Sequence, residues 1–89
     1  MTAWSVEFLI NAEKDLVKIE KSDRRRIIEK IEWLAKNFNS VFPINLKGEF
    51  RDFYKLRVGD WRVFYKADWT KSIIYICIIE RRDRAYKTK

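Results

Sequence analysis

The chain has 89 residues, with 20 Lys or Arg against 13 Asp or Glu, no histidine, and a formal net charge of +7. That length suits one domain over residues 1–89 with a single core, and 47% hydrophobic with 37% charged residues is a globular rather than a disordered composition. The absence of histidine excludes histidine acid–base chemistry and argues against a zinc or transition-metal site, while the excess of cations favours a polyanionic or acidic partner.

Residues 2 to 8 alternate, with Trp4, Val6 and Phe8 on one side and Ala3, Ser5 and Glu7 on the other, so a first strand is expected. Asn11 has the chemistry of a helix N-cap, and Ala12, Leu16 and Ile19 form one stripe of a short helix over roughly 11 to 20. Ser22 or Asp23 is the expected cap of a longer second helix. Its apolar face is drawn by Ile27, Ile28, Ile31, Leu34, Ala35 and Phe38 at three- and four-residue steps. Arg25 with Glu29 and Glu32 with Lys36 are favourable pairs on its outer side. Pro43 marks a linker that cannot continue the helix.

Residues 46 to 66 carry most of the information. Tyr54, Leu56 and Val58 alternate before Gly59-Asp60, and Trp61, Val63 and Tyr65 alternate after it. That is a β-hairpin with a tight two-residue turn, because glycine accepts positive φ without steric penalty. This register sets Val58 opposite Trp61, Arg57 opposite Arg62, and Lys55 opposite Phe64. One face is then apolar, and the other carries Lys55, Arg57, Arg62 and Lys66 around an aromatic ring. Like charges facing each other across a strand pair cost roughly 0.2–1 kcal/mol. A phosphate backbone with stackable bases would offset that cost; a solvated outer face is the plain alternative.

Asp68 to Lys71 has the composition of a second turn, and Ser72 to Glu80 that of a central strand with a near-continuous apolar run from Ile73 to Ile79. That run is too short to cross a bilayer, and nothing in the sequence has the form of a signal peptide. Cys77, the single cysteine, falls inside it and is expected to be a small buried strand residue. A four-residue loop over 68 to 71 would set Ala67 opposite Ser72 and Arg62 opposite Cys77, with Arg81 projecting to the side of Arg62. A one-residue slip would exchange the faces. The last residues, 81 to 89, are strongly basic and contain Tyr86.

The expected fold is a two-layer α+β domain in the order β-α-α-β-β-β, with two N-terminal helices packed on one face of a four-stranded, mainly antiparallel sheet. The expected core is Trp4, Phe8, Leu16, Ile19, Ile27, Ile31, Leu34, Leu56, Val63, Ile74, Ile76 and Ile78. With Gly48 and Gly59 the only glycines, no Gly-rich phosphate loop exists, and no cofactor is called for.

Three features of the chain resemble the RelE/ParE superfamily of type II toxins. These are Leu46-Lys47-Gly48 with the run Phe53 to Tyr65, the apolar strand after it, and the basic ending Arg81-Arg82-Asp83-Arg84-Ala85-Tyr86. The resemblance covers essentially the whole chain and agrees with the element order. It implies a cytoplasmic toxin neutralised by a cognate antitoxin protein, with no membrane and no small-molecule substrate. RelE-like members bind in the ribosomal A site and cut mRNA, whereas ParE-like members poison DNA gyrase; a catalytically degenerate, antitoxin-binding relative is a third form.

On the RelE-like reading, the resemblance assigns catalytic roles to Lys55, Arg57, Arg62, Arg81 or Arg82, and Tyr86, and RNA contacts to Lys47, Phe64, Lys66 and Arg84. The reaction is metal-independent attack of a ribose 2′-OH on the adjacent phosphate. Arg57 and Arg62 suit the phosphate, since a planar guanidinium pairs with two oxygens at once. Arg81 or Arg82 is a second clamp or proton donor, and Lys55 or Tyr86 is the base, with stacking on a nucleobase the other role open to Tyr86. Many relatives have a Gly-His or Gly-Lys pair after the last strand, where this chain has Ile79-Glu80 and then Arg81. The Arg24-Arg25-Arg26 run at the start of the second helix is a solvated face or a contact with RNA or an acidic antitoxin.

Overall fold

The computed structural model describes residues 4–40, 44–45 and 53–81. The elements in chain order are β1 (Ser5–Phe8), α1 (Ile10–Lys18), α2 (Lys21–Asn37), a single 3-10 turn (Phe38–Ser40), β2 (Ile44–Asn45), β3 (Tyr54–Val58), β4 (Trp61–Asp68) and β5 (Ile73–Arg81). They form a two-layer α+β domain. The sheet order is β1-β5-β4-β3-β2. β1 runs parallel to β5 and the remaining pairings are antiparallel. The four expected strands are present, and the two-residue β2 adds to the edge beside β3.

Neither helix starts on its expected cap. α1 begins at Ile10, with Leu9 as a cap that makes no side-chain bond, and Asn11 lies inside the helix. α2 begins at Lys21, so Ser22 and Asp23 are already helical; the Ser22 hydroxyl donates instead to the Glu20 carboxylate at 3.3 Å. The first turns are closed by backbone bonds, from Glu13 N–H to Leu9 C=O and from Arg24 N–H to Glu20 C=O. Packing fixes these boundaries more strongly than the polar side chains do. α2 turns Ile27, Ile31, Leu34 and Ala35 onto the sheet, as its periodicity requires.

The β3–β4 hairpin has the expected register: Val58 faces Trp61, Arg57 faces Arg62, and Lys55 faces Phe64. Gly59 has φ 59, the positive value that the first residue of a type II′ turn needs. The next turn differs from expectation. Asp68 still pairs with Ile73, so the four connecting residues are 69 to 72, and the Asp68 carboxylate accepts the N–H groups of Thr70 and Lys71 at 3.0 Å each.

The β4–β5 register shifts between Phe64 and Tyr65, where Cys77 is the extra residue on β5. Ala67 faces Ile74 rather than Ser72, a two-residue change that preserves the faces. The bulge then reverses them: Arg62 faces Glu80, not Cys77, and Arg81 faces Trp61. Ile79 therefore turns inward at 3% exposure, while Ile78, expected in the core, is 36% exposed.

The remaining core agrees closely with expectation. Trp4, Ile19, Ile27, Ile31, Leu34, Val63, Ile74 and Ile76 are buried, with Phe8, Leu16 and Leu56 packed partly buried against them. Phe38 and Tyr65 complete it, joined by edge-on aromatic contacts from Trp4 to Phe38 (4.5 Å between centroids) and from Phe38 to Tyr65 (6.1 Å). Among the described residues no helix is long and apolar enough to cross a membrane.

Candidate functional site

Alternation puts Lys55 and Arg57 of β3 on the sheet face away from the helices, because Tyr54, Leu56 and Val58 face the core. Register places Arg62, Phe64 and Lys66 of β4 on that same face. Three cross-strand rows result. Next to the hairpin turn, Arg57, Arg62 and Glu80 lie side by side. The second row is Lys55, Phe64 and Ile78. The third joins Lys66 to Tyr75 and Tyr75 to Glu7.

Exposure follows that layout. Arg57 and Lys66 are exposed, while Lys55, Arg62, Phe64, Tyr75 and Glu80 are half-buried. The Lys66 ammonium stands 4.7 Å from the centre of the Phe53 ring, a cation–π contact that orients it over the sheet. The face thus offers guanidinium donors at the hairpin end and, in the rows beyond, ammonium donors beside apolar and aromatic surface. That combination can hold a phosphodiester and stack a base.

Cys77 sits at the bulge on this sheet with its thiol 3.5 Å from the Tyr75 carbonyl oxygen. Burial pushes the thiol's pKa up, against the opposing pull of the Lys66 charge and backbone. It is a buried strand residue that stays protonated at neutral pH, not a nucleophile.

Arg81 is not on the cation face. It lies opposite Trp61, with its guanidinium carbon 5.5 Å from the centre of that ring, on the helix side of the sheet. There the Trp61 indole N–H donates to the Asp23 carboxylate at 3.2 Å, and Arg26 approaches the same carboxylate at 4.0 Å. A cavity of about 150 Å³ is lined by Arg81, Trp61, Asp23, Arg26 and the turn residues Gly59 and Asp60. The expectation that Arg81 projects to the same side of the sheet as Arg62 is corrected by the one-residue bulge.

Of the expected site residues, Lys55, Arg57, Arg62, Phe64 and Lys66 are brought together, and Arg81 is set apart. Lys47, Arg82, Arg84 and Tyr86 lie outside the described residues. Two neighbours were not anticipated: Glu80, directly across from Arg62, and Tyr75, across from Lys66. Glu80 was hidden by the bulge, which no local pattern announces; Tyr75 was legible as the one polar aromatic in the Ile73–Ile79 run. Among the described residues no group of His, Cys, Asp and Glu side chains is placed to hold a metal ion.

Comparison with known proteins agrees with the fold. Residues 6–86 match the profile of the family described as the ParE toxin of the type II toxin-antitoxin system parDE. A Methanocaldococcus jannaschii protein named as a toxin, RelE1, is 37% identical over 87 residues, spanning 94% of this chain and 96% of that one. The archaeal RelE–RelB complex of Pyrococcus horikoshii is similar at TM-score 0.73 and 26% identity, covering 93% of this chain and 99% of the matched one. The toxin–antitoxin complex RelBE2 of Mycobacterium tuberculosis is similar at TM-score 0.81 and 22% identity, covering 91% and 100% of the two chains.

Proposed function

The chain belongs to the RelE/ParE superfamily of type II toxin–antitoxin toxins, and from that premise we propose that it is a ribosome-dependent mRNA endonuclease held in check by a cognate antitoxin protein. The observation that carries this reading is the pairing of Arg57 with Arg62, one row from Lys55 and Phe64, on the sheet face that neither helix covers. With Glu80 beside Arg62, the row still presents two guanidinium groups to one carboxylate, and an RNA phosphate can accept from both arginines at once.

In the proposed reaction a ribose 2′-oxygen attacks the adjacent phosphorus and the bond to the 5′-oxygen breaks. Arg57 and Arg62 stabilise the extra negative charge on the phosphoryl oxygens. Lys55 in its neutral form, or Tyr86 as phenolate, takes the 2′ proton. Arg82 is the candidate donor to the leaving oxygen, a role Arg81 does not share from its place against Trp61. Phe64 offers a stacking surface beside the phosphate, and Lys66, Lys47 and Arg84 contribute backbone contacts. The antitoxin reading is supported by the P. horikoshii relative, which is a RelE–RelB complex.

The match to a ParE toxin profile favours one second reading, inhibition of DNA gyrase. Induction of the chain followed by primer extension on cellular mRNA separates the two. The proposal expects growth arrest with cuts in codon register that vanish in Arg62→Ala. Arrest with loss of supercoiling and intact mRNA supports the gyrase reading instead.

A further inference from the structure

Arginines stand on both sides of the sheet at the hairpin tip, with Asp60 in the turn and Asp23 on the helix side among them. Arg57 and Arg62 flank it on the outer face. On the helix side, the Arg26 guanidinium lies 3.4 Å from where a Cβ on Gly59 would be, so α2 meets the turn through an arginine. Arg26 continues into Arg24 and Arg25, and Lys21, Arg24 and Arg25 line a surface concavity of about 740 Å³ together with Glu20, Ser22, Glu29 and, as its apolar contribution, Ile28, leaving three cations against two carboxylates. The Arg25 and Arg26 side chains are 81% and 66% exposed, and the ion pairs they make, with Glu29 and Asp23, are both stretched to 4.0 Å. Pairs so long and so wet neutralise little charge. Cations in the opening turns of a helix are also opposed by its dipole. The fold tolerates this cluster at some expense to itself.

We propose that Lys21, Arg24, Arg25 and Arg26 form a second phosphodiester-binding segment that continues the sheet-face site around the β3–β4 turn, so that one RNA strand is held on both sides of the hairpin. The inference rests on the RNA reading of the sheet face. An acidic protein segment is the weaker occupant. Protein interfaces build around an apolar centre, and this concavity offers one half-buried isoleucine, whereas guanidinium groups matched to phosphate need no such centre.

Fluorescence anisotropy on the purified chain tests the proposal with two single-stranded RNA probes, a trinucleotide and a strand of about a dozen nucleotides, and with a glutamate-rich peptide. Arg25→Gln with Arg26→Gln should weaken the long strand about ten-fold and lower its salt-dependence slope by about 1.4, two phosphates' worth, with the trinucleotide unaffected. Arg25→Lys with Arg26→Lys should restore most of the slope. Both positions are exposed, and a matching thermal melt verifies the fold of each variant. Native binding of the long strand by the glutamine pair overturns the proposal. So does selective loss of the acidic peptide with RNA retained, which makes the patch a protein-docking surface. Arg57→Gln with Arg62→Gln should weaken both RNA probes. If it changes neither, the sheet-face reading falls while the long-strand result still decides the α2 segment.

Discussion

The carboxylate of Asp15, in the middle of α1, accepts the backbone N–H of Ile79 at 3.1 Å across 64 positions of sequence. β1 ends at Phe8, opposite Ile76, so it does not reach this part of β5. Asp15 supplies the acceptor there, and α1 lies along the strand that ends in Glu80 and Arg81.

Replacement of Asp15 by alanine should therefore cost about 1.5–3 kcal/mol, the range for a hydrogen bond to a charged, partly buried group. Asparagine keeps an acceptor oxygen and should lose less. Urea denaturation of the three proteins gives the ordering, and an alanine variant as stable as the native chain contradicts it.

The bulge at Cys77 yields a sharp contrast between neighbours. Ile79→Ala opens a cavity in the core and should destabilise by about 2–4 kcal/mol. Ile78→Ala, on the open face, should cost under about 1 kcal/mol. Equal losses at the two positions, measured by the same denaturation, would mean that β5 is not bulged.

These two residues show what a sequence can and cannot reveal. Alternation in the β3–β4 hairpin was readable because Gly59-Asp60 fixes the turn and each strand has one apolar face, so the pairing of Arg57 with Arg62 followed directly. β5 is apolar at both Ile78 and Ile79, and a continuous apolar run has no parity to read. The insertion of one residue at the bulge moved Ile78 outward, brought Glu80 to Arg62 and sent Arg81 to Trp61. The helix starts were misplaced for a related reason: Asn11, Ser22 and Asp23 have capping chemistry, but burial of Ala12 and Ile27 sets where α1 and α2 begin.

Tyr65 makes stability pH-dependent. It is 1% exposed, and its phenol is pushed up to about 12, first by burial and then by Tyr54. The folded value lies above the ordinary value near 10, so the contribution is fully present below pH ~10 and disappears as pH rises through about 12. The native chain should lose roughly 2–3 kcal/mol across that window relative to Tyr65→Phe, which lacks the ionising group. Parallel pH profiles for the two proteins would refute this.

Arg81 and Arg62 should separate in function. Arg81→Ala removes a guanidinium stacked on Trp61 on the helix side, and its effect on mRNA cleavage should stay within about ten-fold, well short of the loss expected for a phosphate-binding arginine. Equal losses from Arg81→Ala and Arg62→Ala would return Arg81 to the reaction centre.

The most direct test of the nuclease account is the single-turnover rate of mRNA cleavage on isolated, programmed ribosomes, compared between the native chain and Arg62→Ala. The account predicts cutting by the native chain and a rate lower by about 10²–10³ in the variant, the usual effect of removing one preorganised donor to a developing anion. Equal rates for the two proteins, or no cutting by the native chain, would contradict it.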